Sequence, residues 1–446
     1  FVPLFSRELQ EKGQAEALAF ARQAHAALLL VLVPFSVVLM LGMPWVVAAL
    51  APGLRDDGNF AMAVTFARIS FPYLLFISLA SLYGGVLNSI DRFAHVAATP
   101  VLLNLTLIGA VLGLTPFLPN SGYAASVGVA IAGLLQWAWL AVACAREDVH
   151  IALVRPRWTP RVARLVKLAT PVAIGGGVQQ ISTMLDVVWA SLLPVGSISA
   201  LYYADRIAQL PLGVVGIAIG TALLPLLARQ LRAGEATAAM ANQNRAVEFG
   251  LVLSLPAAVA LVLLADPIIR VLFQRGQFGA DDTWRTAGAL AAFALGLPAF
   301  VLVKALTPGF FAREDTRTPL YIAIVAIVVN VVLNVAFLYG TSLAHVGIAL
   351  ATSLSGWLNA AMLGGVLYRR RHWVIDARLA SRAARMAVAT AGMAAALWAA
   401  HLFLAPWLAY ASLVGVLVLA GVCVLGLAVY GGLGAALGIV RPAELK

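Results

Sequence analysis

Apolar stretches of about twenty residues recur along the whole chain, divided by short segments where Arg, Lys, Asp, Glu, Gly and Pro gather. A helix of that length reaches across the ~30 Å hydrocarbon core of a bilayer. Read this way, the chain is expected to cross at 24–51, 69–90, 96–118, 122–145, 168–193, 207–228, 249–265, 286–311, 318–340, 343–368, 386–405 and 407–440, twelve complete spans in all. The last run is long enough to tilt or to extend past the bilayer. The stretches are too long for barrel strands and lack their alternation. Hydrocarbon offers the backbone no water, so each crossing must be a helix that satisfies its own N–H and C=O groups. The expected fold is all-α and polytopic.

Composition sharpens this picture. Hydrophobic residues make up 62% of the chain and charged residues 11%, against roughly 25% charged in soluble domains, so a water-facing surface cannot be built. The formal net charge of +11 points to topology rather than to nucleic acid, because the basic residues sit in the connections between spans. Numbering those connections alternately puts 23 Lys and Arg on one side and 6 on the other, with Lys304 inside a span. The crowded side includes Arg155, Arg157, Arg161, Arg369, Arg370, Arg371, Arg441 and Lys446. The positive-inside rule then places both ends of the chain in the cytoplasm.

The chain repeats itself. FVPLFSRELQ at 1–10 parallels LLPLLARQLR at 223–232, and Pro34, Pro44 and Pro72 match Pro256, Pro267 and Pro298 at separations drifting only from 222 to 226. The loop at 88–100 parallels the one at 312–319. An even number of spans separates the copies, so the repeat is parallel, and two similar lobes are expected around a central cavity. Two spans, at 168–228, precede copy two, whereas copy one begins at the end of its second. About sixty further residues, the first two helices of the lobe, are therefore expected ahead of Phe1. The expected organisation is an N-terminal lobe at 1–150, a C-terminal lobe at 151–372 and a C-terminal helix pair at 373–446.

Candidate chemistry is sparse. The two cysteines, Cys144 and Cys423, lie in separate apolar runs, and the six histidines have no ligand spacing. No metal or nucleophile motif identifies an enzyme. Charges within the membrane cost on the order of 2.5 to 3.5 kcal/mol each, so those within or beside spans are candidates for function: Asp186, Asp205, Arg206, Lys304 and Arg68. Arg206, in ALYYADRIAQLPLGVVG, is placed either to clamp phosphate bidentately or to anchor a span end in an aromatic belt, paired with Asp205. Lys304 serves either a cavity or a nearby interface. Asp186 interrupts a span and needs a cation, a proton or a polar partner. Asn330 and Asn334 share a helix face and, with Thr352, either offer oxygens to Na⁺ or hydrogen-bond neighbouring helices. Proline and glycine clusters at 69–85 and 295–311 mark equivalent points where spans can bend.

APGL, FPYLLFISLASLYGGVLN, ALYYADRIAQLPLGVVGIAIGTALLP, LFQRGQF and KALTPGFFAREDTRTP are similar to matching segments of the MurJ (MviN) family of lipid II flippases. That family lies within the multidrug, oligosaccharidyl-lipid and polysaccharide exporter superfamily. The resemblance runs over essentially the whole chain. It implies two six-helix lobes around a central cavity plus two C-terminal helices forming a groove for lipid tails, with the twelve spans here as the third to fourteenth. It implies a monomeric transporter of a bacterial inner membrane, not an enzyme. That transporter carries lipid II, the undecaprenyl-pyrophosphate-linked peptidoglycan precursor, from the cytoplasmic to the periplasmic leaflet for cell-wall biogenesis. Arg206 falls on a cavity arginine of the family, with Asp205 and Lys304 as further substrate-binding candidates, and no catalytic residue is expected. Asp186, Asn330, Asn334 and Thr352 resemble a sodium site of some members, with Asn334 standing where some have an acid, so coupling rests on Na⁺ or on membrane potential. No other cofactor is implied. The competing readings are another polysaccharide-lipid flippase, a cation-coupled multidrug exporter, and, from a different class, a membrane enzyme acting on polyprenyl substrates or a scaffold.

Overall fold

A computed structural model describes residues 1–55, 58–408 and 412–439, with side chains described throughout except at 171–176, 178–179, 182, 214–215, 217–218 and 220–222. Arg441 and Lys446, used in the charge tally, and residues 409–411 and 440 of the last expected span lie outside the described residues. The chain divides into two compact units, Phe1–Val188 and Trp189–Lys446.

The first unit contains α1 (Val2–Lys12), α2 (Gln14–Leu41), α3 (Met43–Leu50), α4 (Phe60–Ser70), α5 (Pro72–Ser89), α6 (Phe93–Ala97), α7 (Thr99–Leu114), α8 (Ser121–Arg146) and most of α9 (Pro160–Ser191). The second contains α10 (Ser197–Arg232), α11 (Ala236–Leu263), α12 (Ala265–Phe273), α13 (Ala280–Phe311), α14 (Arg317–Gly340), α15 (Ala344–Arg369), α16 (Ala377–Leu408) and α17 (Leu413–Ala436). Local chemistry sets many of the starts. Proline opens α1, α3, α5 and α7, where its missing N–H costs nothing. The Asn120 side chain caps α8 by accepting from the Gly122 and Tyr123 amides, and Ser412 caps α17 through Gly415.

Ten helices among the described residues are long and apolar enough to cross a membrane. The other two expected crossings fall on α9 and α10, helices of 32 and 36 residues. Leu30, Val31, Leu41, Leu105, Leu112, Val328 and Val332 stand exposed on α2, α7 and α14, an apolar outer surface suited to acyl chains rather than water.

The duplication is visible within each unit. In the first, α5 packs on α8 and α8 on α7; in the second, α13 packs on α15 and α15 on α14. The short helices α3 and α12 carry the matched Pro44 and Pro267. Backbone geometry keeps the same register. Asp91 and Glu314 both take positive φ (62° and 61°), as do Asp148 and Arg371 (both 57°), and each pair lies 223 positions apart. These are left-handed residues that turn the chain just past a helix end, and their spacing keeps the register of the sequence repeat. Matched ion pairs then clip the same two loops together with opposite polarity, Arg92 to Glu147 at 2.9 Å and Arg370 to Asp315 at 2.6 Å.

The compact units do not fall on the lobe boundaries expected near 150 and 372. The connection into α9 stays with the first unit because Arg161 reaches Glu16 at 2.6 Å, the Arg157 amide donates to Gln23, and Arg22 donates to the His150 carbonyl. The C-terminal pair α16–α17 stays with the second unit because it packs on α11 and α12. There, Leu264 meets Met393, Leu397 and Val422 in one buried cluster, and Val271 meets Leu408 and Leu419 in another.

Candidate functional site

The first turns of α10 carry ALYYADRIAQL. Residues four apart on a helix are neighbours, whereas adjacent ones point about 100° apart. Both i, i+4 relations are used. The Arg206 guanidinium lies 4.8 Å from the Tyr202 ring centroid, and the Gln209 amide donates to the Asp205 carboxylate. The expected local pairing of Arg206 with Asp205 does not form: the guanidinium turns to Tyr202 and the carboxylate to Gln209. Arg206 is exposed, and so is Tyr202.

Tyr203 faces inward and fastens this segment to the loop between α12 and α13. Its ring sits 5.0 Å from Phe273 and 5.7 Å from Phe278, and Tyr202 meets it edge-on at 6.0 Å. The motif LFQRGQF thus supplies the two rings against Tyr203. Such edge-to-face and tilted contacts add about 0.5–1.5 kcal/mol per pair beyond simple burial.

Lys304 is an exposed residue of α13 whose stem runs along Gly216 of α10. A Cβ at 216 would come within 2.9 Å of Lys304 Cδ and 3.3 Å of Nζ, so the glycine makes room for the ammonium. Gly216 is ten residues beyond Arg206, about 15 Å along the axis. The two cations border one helix but do not converge on one phosphate.

Asn330, Asn334 and Thr352 are brought together. Asn334 Nδ2 donates to Asn330 Oδ1 at 3.0 Å, Asn330 Nδ2 to Thr352 Oγ1 at 3.3 Å, and Thr352 Oγ1 to the Ile348 carbonyl at 3.1 Å. Asn334 Oδ1 is left buried without a hydrogen bond. The trio is neutral, and its hydrogen bonds form a polar clasp between α14 and α15. Asp186 is partly buried on α9, at the end of the first unit. Arg68, on α4, donates from Nε to the Met40 carbonyl at 2.9 Å and so caps the end of α2.

One polar centre was not expected. Glu248 of α11, only 6% exposed, accepts from Arg245 and from Arg382 of α16, with Arg378 3.5 Å away; Arg245 also reaches Asp376. Asn244 extends the seam, donating to the Val374 carbonyl at 2.9 Å and accepting from Trp373 Nε1 at 2.7 Å. The signal was available in the spacing: Arg245 and Glu248 share a helix face, as do Arg378, Arg382 and Arg385.

A duplicated body of membrane-length helices, with prolines inside several spans and isolated charges along them, has the build of a secondary transporter. The comparisons with known proteins agree. A family model described as lipid II flippase MurJ matches residues 1–418, and the chain belongs to that family. A probable lipid II flippase MurJ of Rhizobium meliloti (strain 1021) is 47% identical over 92% of this chain and 76% of its own length. One from Rickettsia prowazekii (strain Madrid E) is 36% identical over 81% and 71%. Among solved structures, a lipid II flippase MurJ in an inward closed conformation superposes with a TM-score of 0.78, at 22% identity, over 98% of this chain and 87% of that one. An inward-facing multidrug transporter of the MATE family gives 0.68 at 15% identity over 83% and 84%. The chain is an integral membrane protein with the helical fold these transporters share.

Proposed function

We propose that this chain works as the lipid II flippase its family defines, carrying the undecaprenyl-pyrophosphate-linked precursor from the cytoplasmic to the outer leaflet by alternating access, with Arg206 gripping the pyrophosphate. The observation that carries the site is an exposed guanidinium, on a membrane helix, whose neighbouring carboxylate is engaged by Gln209. A guanidinium presents a planar fork of donors that matches phosphate oxygens. Lys304 then meets the headgroup elsewhere along its path rather than at the same phosphate. The pair α16–α17 takes the polyprenyl tail along its apolar outer side, where Trp398, Phe403, Leu417 and Leu427 are exposed. Both ends of the chain are cytoplasmic, as the charge bias requires. The driving force is the membrane potential, negative inside, which pushes an anionic headgroup outward with about 2.3 kcal/mol per charge per 100 mV.

The test measures lipid II accessible on the outer face of intact cells depleted of their own flippase. Wild-type protein at normal abundance should restore it. Arg206→Ala at equal abundance should reduce the rate about ten- to hundred-fold, the worth of a charged hydrogen-bonding group. Failure of the wild-type protein would sink the substrate assignment, and full activity of Arg206→Ala would sink the site.

A further inference from the structure

We propose that Tyr202 is a positioning residue for the headgroup phosphate: its ring holds the Arg206 guanidinium in place while Gln209 keeps Asp205 from neutralising it. The inference rests on the reading of Arg206 given above and adds the device that makes that arginine usable.

The geometry of a guanidinium explains why an aromatic partner is the right one. All five N–H donors lie in its plane, so a partner that engages the edge consumes the donors a phosphate needs. A ring against the planar face consumes none of them. The Arg206 guanidinium carbon lies over the Tyr202 ring, 4.8 Å from its centroid, a contact that limits the swing of a long, flexible side chain without setting an acceptor oxygen against the fork. The opposite arrangement is close at hand, since Asp205 is the next residue. Its carboxylate instead takes the amide of Gln209, one turn on. The shelf under Tyr202 is itself anchored, because Tyr203 is wedged against Phe273 and Phe278, which pack onto the buried core of the second unit. Three features that the phosphate reading alone leaves idle thus acquire one purpose: the paired tyrosines, Gln209 and the two phenylalanines of LFQRGQF.

The experiment compares binding of undecaprenyl pyrophosphate with binding of uncharged undecaprenol by the purified protein, for wild type and for Tyr202→Phe, Tyr202→Leu, Gln209→Ala, Gln209→Ala with Asp205→Asn, and Arg206→Ala. Tyr202→Leu should weaken the pyrophosphate about two- to five-fold, the equivalent of an exposed cation–π contact, and leave the alcohol unchanged. Tyr202→Phe should bind like wild type, because the ring and not the hydroxyl does the holding. Gln209→Ala should weaken the pyrophosphate alone, and adding Asp205→Asn should restore it by removing the competing charge. If Arg206→Ala loses pyrophosphate binding while Tyr202→Leu keeps it, the positioning inference is wrong and the phosphate reading stands. If Arg206→Ala binds normally, both fall. Equal loss of both lipids in Tyr202→Leu, or a Tyr202→Phe variant as impaired as Tyr202→Leu, would also overturn the inference.

Discussion

In the first unit the stretch from Phe60 to Ser89 is interrupted at Phe71, giving α4 and α5; its counterpart in the second unit, α13, runs unbroken from Ala280 to Phe311 although it carries the matching proline, Pro298. Proline removes one helical hydrogen bond and pushes on the carbonyl four residues back. In the second unit α15 braces the backbone on either side of that carbonyl. Ser353 Oγ donates to the Ala292 carbonyl at 2.6 Å, and Trp357 Nε1 donates to the Leu295 carbonyl at 3.0 Å. At the 223-residue offset that Asp148 and Arg371 establish, the corresponding positions of α8 are Ala130 and Leu134, neither of which has a donor. The same repeat is thus braced by side-chain donors from the neighbouring helix in one copy and not in the other.

The largest expected effect tests the contrast in how the units are held at their charged ends. Glu248 is buried among three arginines, whereas the Arg92–Glu147 pair of the first unit is largely solvated. Removing a partner from a buried ion network costs about 3–5 kcal/mol, and from an exposed pair at most about 1. Glu248→Ala should therefore lower the thermal midpoint of the purified protein far more than Glu147→Ala. Equal shifts would mean that burial does not set the worth of these pairs.

A middle-sized effect tests the bracing. Giving α15 the residues of the first copy, Ser353→Ala with Trp357→Leu, should cost about 1–3 kcal/mol and speed amide exchange around Pro298. Unchanged exchange there would show that the two donors do not brace α13.

The smallest effect concerns the loop clips of opposite polarity. The Thr318 hydroxyl and amide, followed by Arg370, hold the Asp315 carboxyl well below the usual carboxylate range. A carboxyl depressed in the folded state stabilises fully above the unfolded value of about 3.9, and that contribution is lost only as pH falls through the lower folded value. Thr318→Ala removes the leading cause. In an acid titration followed by amide exchange, the 312–319 loop of this variant should loosen at a higher pH than in wild type, and coincident titrations would refute the assignment.

Much of this was open to reading in the chain. The apolar runs located the helices, and the proline register identified the duplication that the left-handed residues at 91, 148, 314 and 371 repeat in the backbone. The polar seam at Glu248 was missed because an apolar window starts the crossing at 249, while the helix itself begins at Ala236 and α16 at Ala377. Helices continue past the apolar core, and charges there look like loop residues until their partners are known. Arg206 was legible as a candidate, but its partner was misjudged: adjacency in sequence suggested Asp205, and helical geometry selects Tyr202.

By itself, then, the sequence determined the solvent, the element type, the repeat and the family, because hydrophobicity and periodicity are sums over neighbouring residues. Only the tertiary structure decided which charges are cancelled and which helix is braced around its proline. Those outcomes depend on distances between groups far apart in the chain, such as Glu248 and Arg382, 134 positions apart, and no local pattern encodes such a distance.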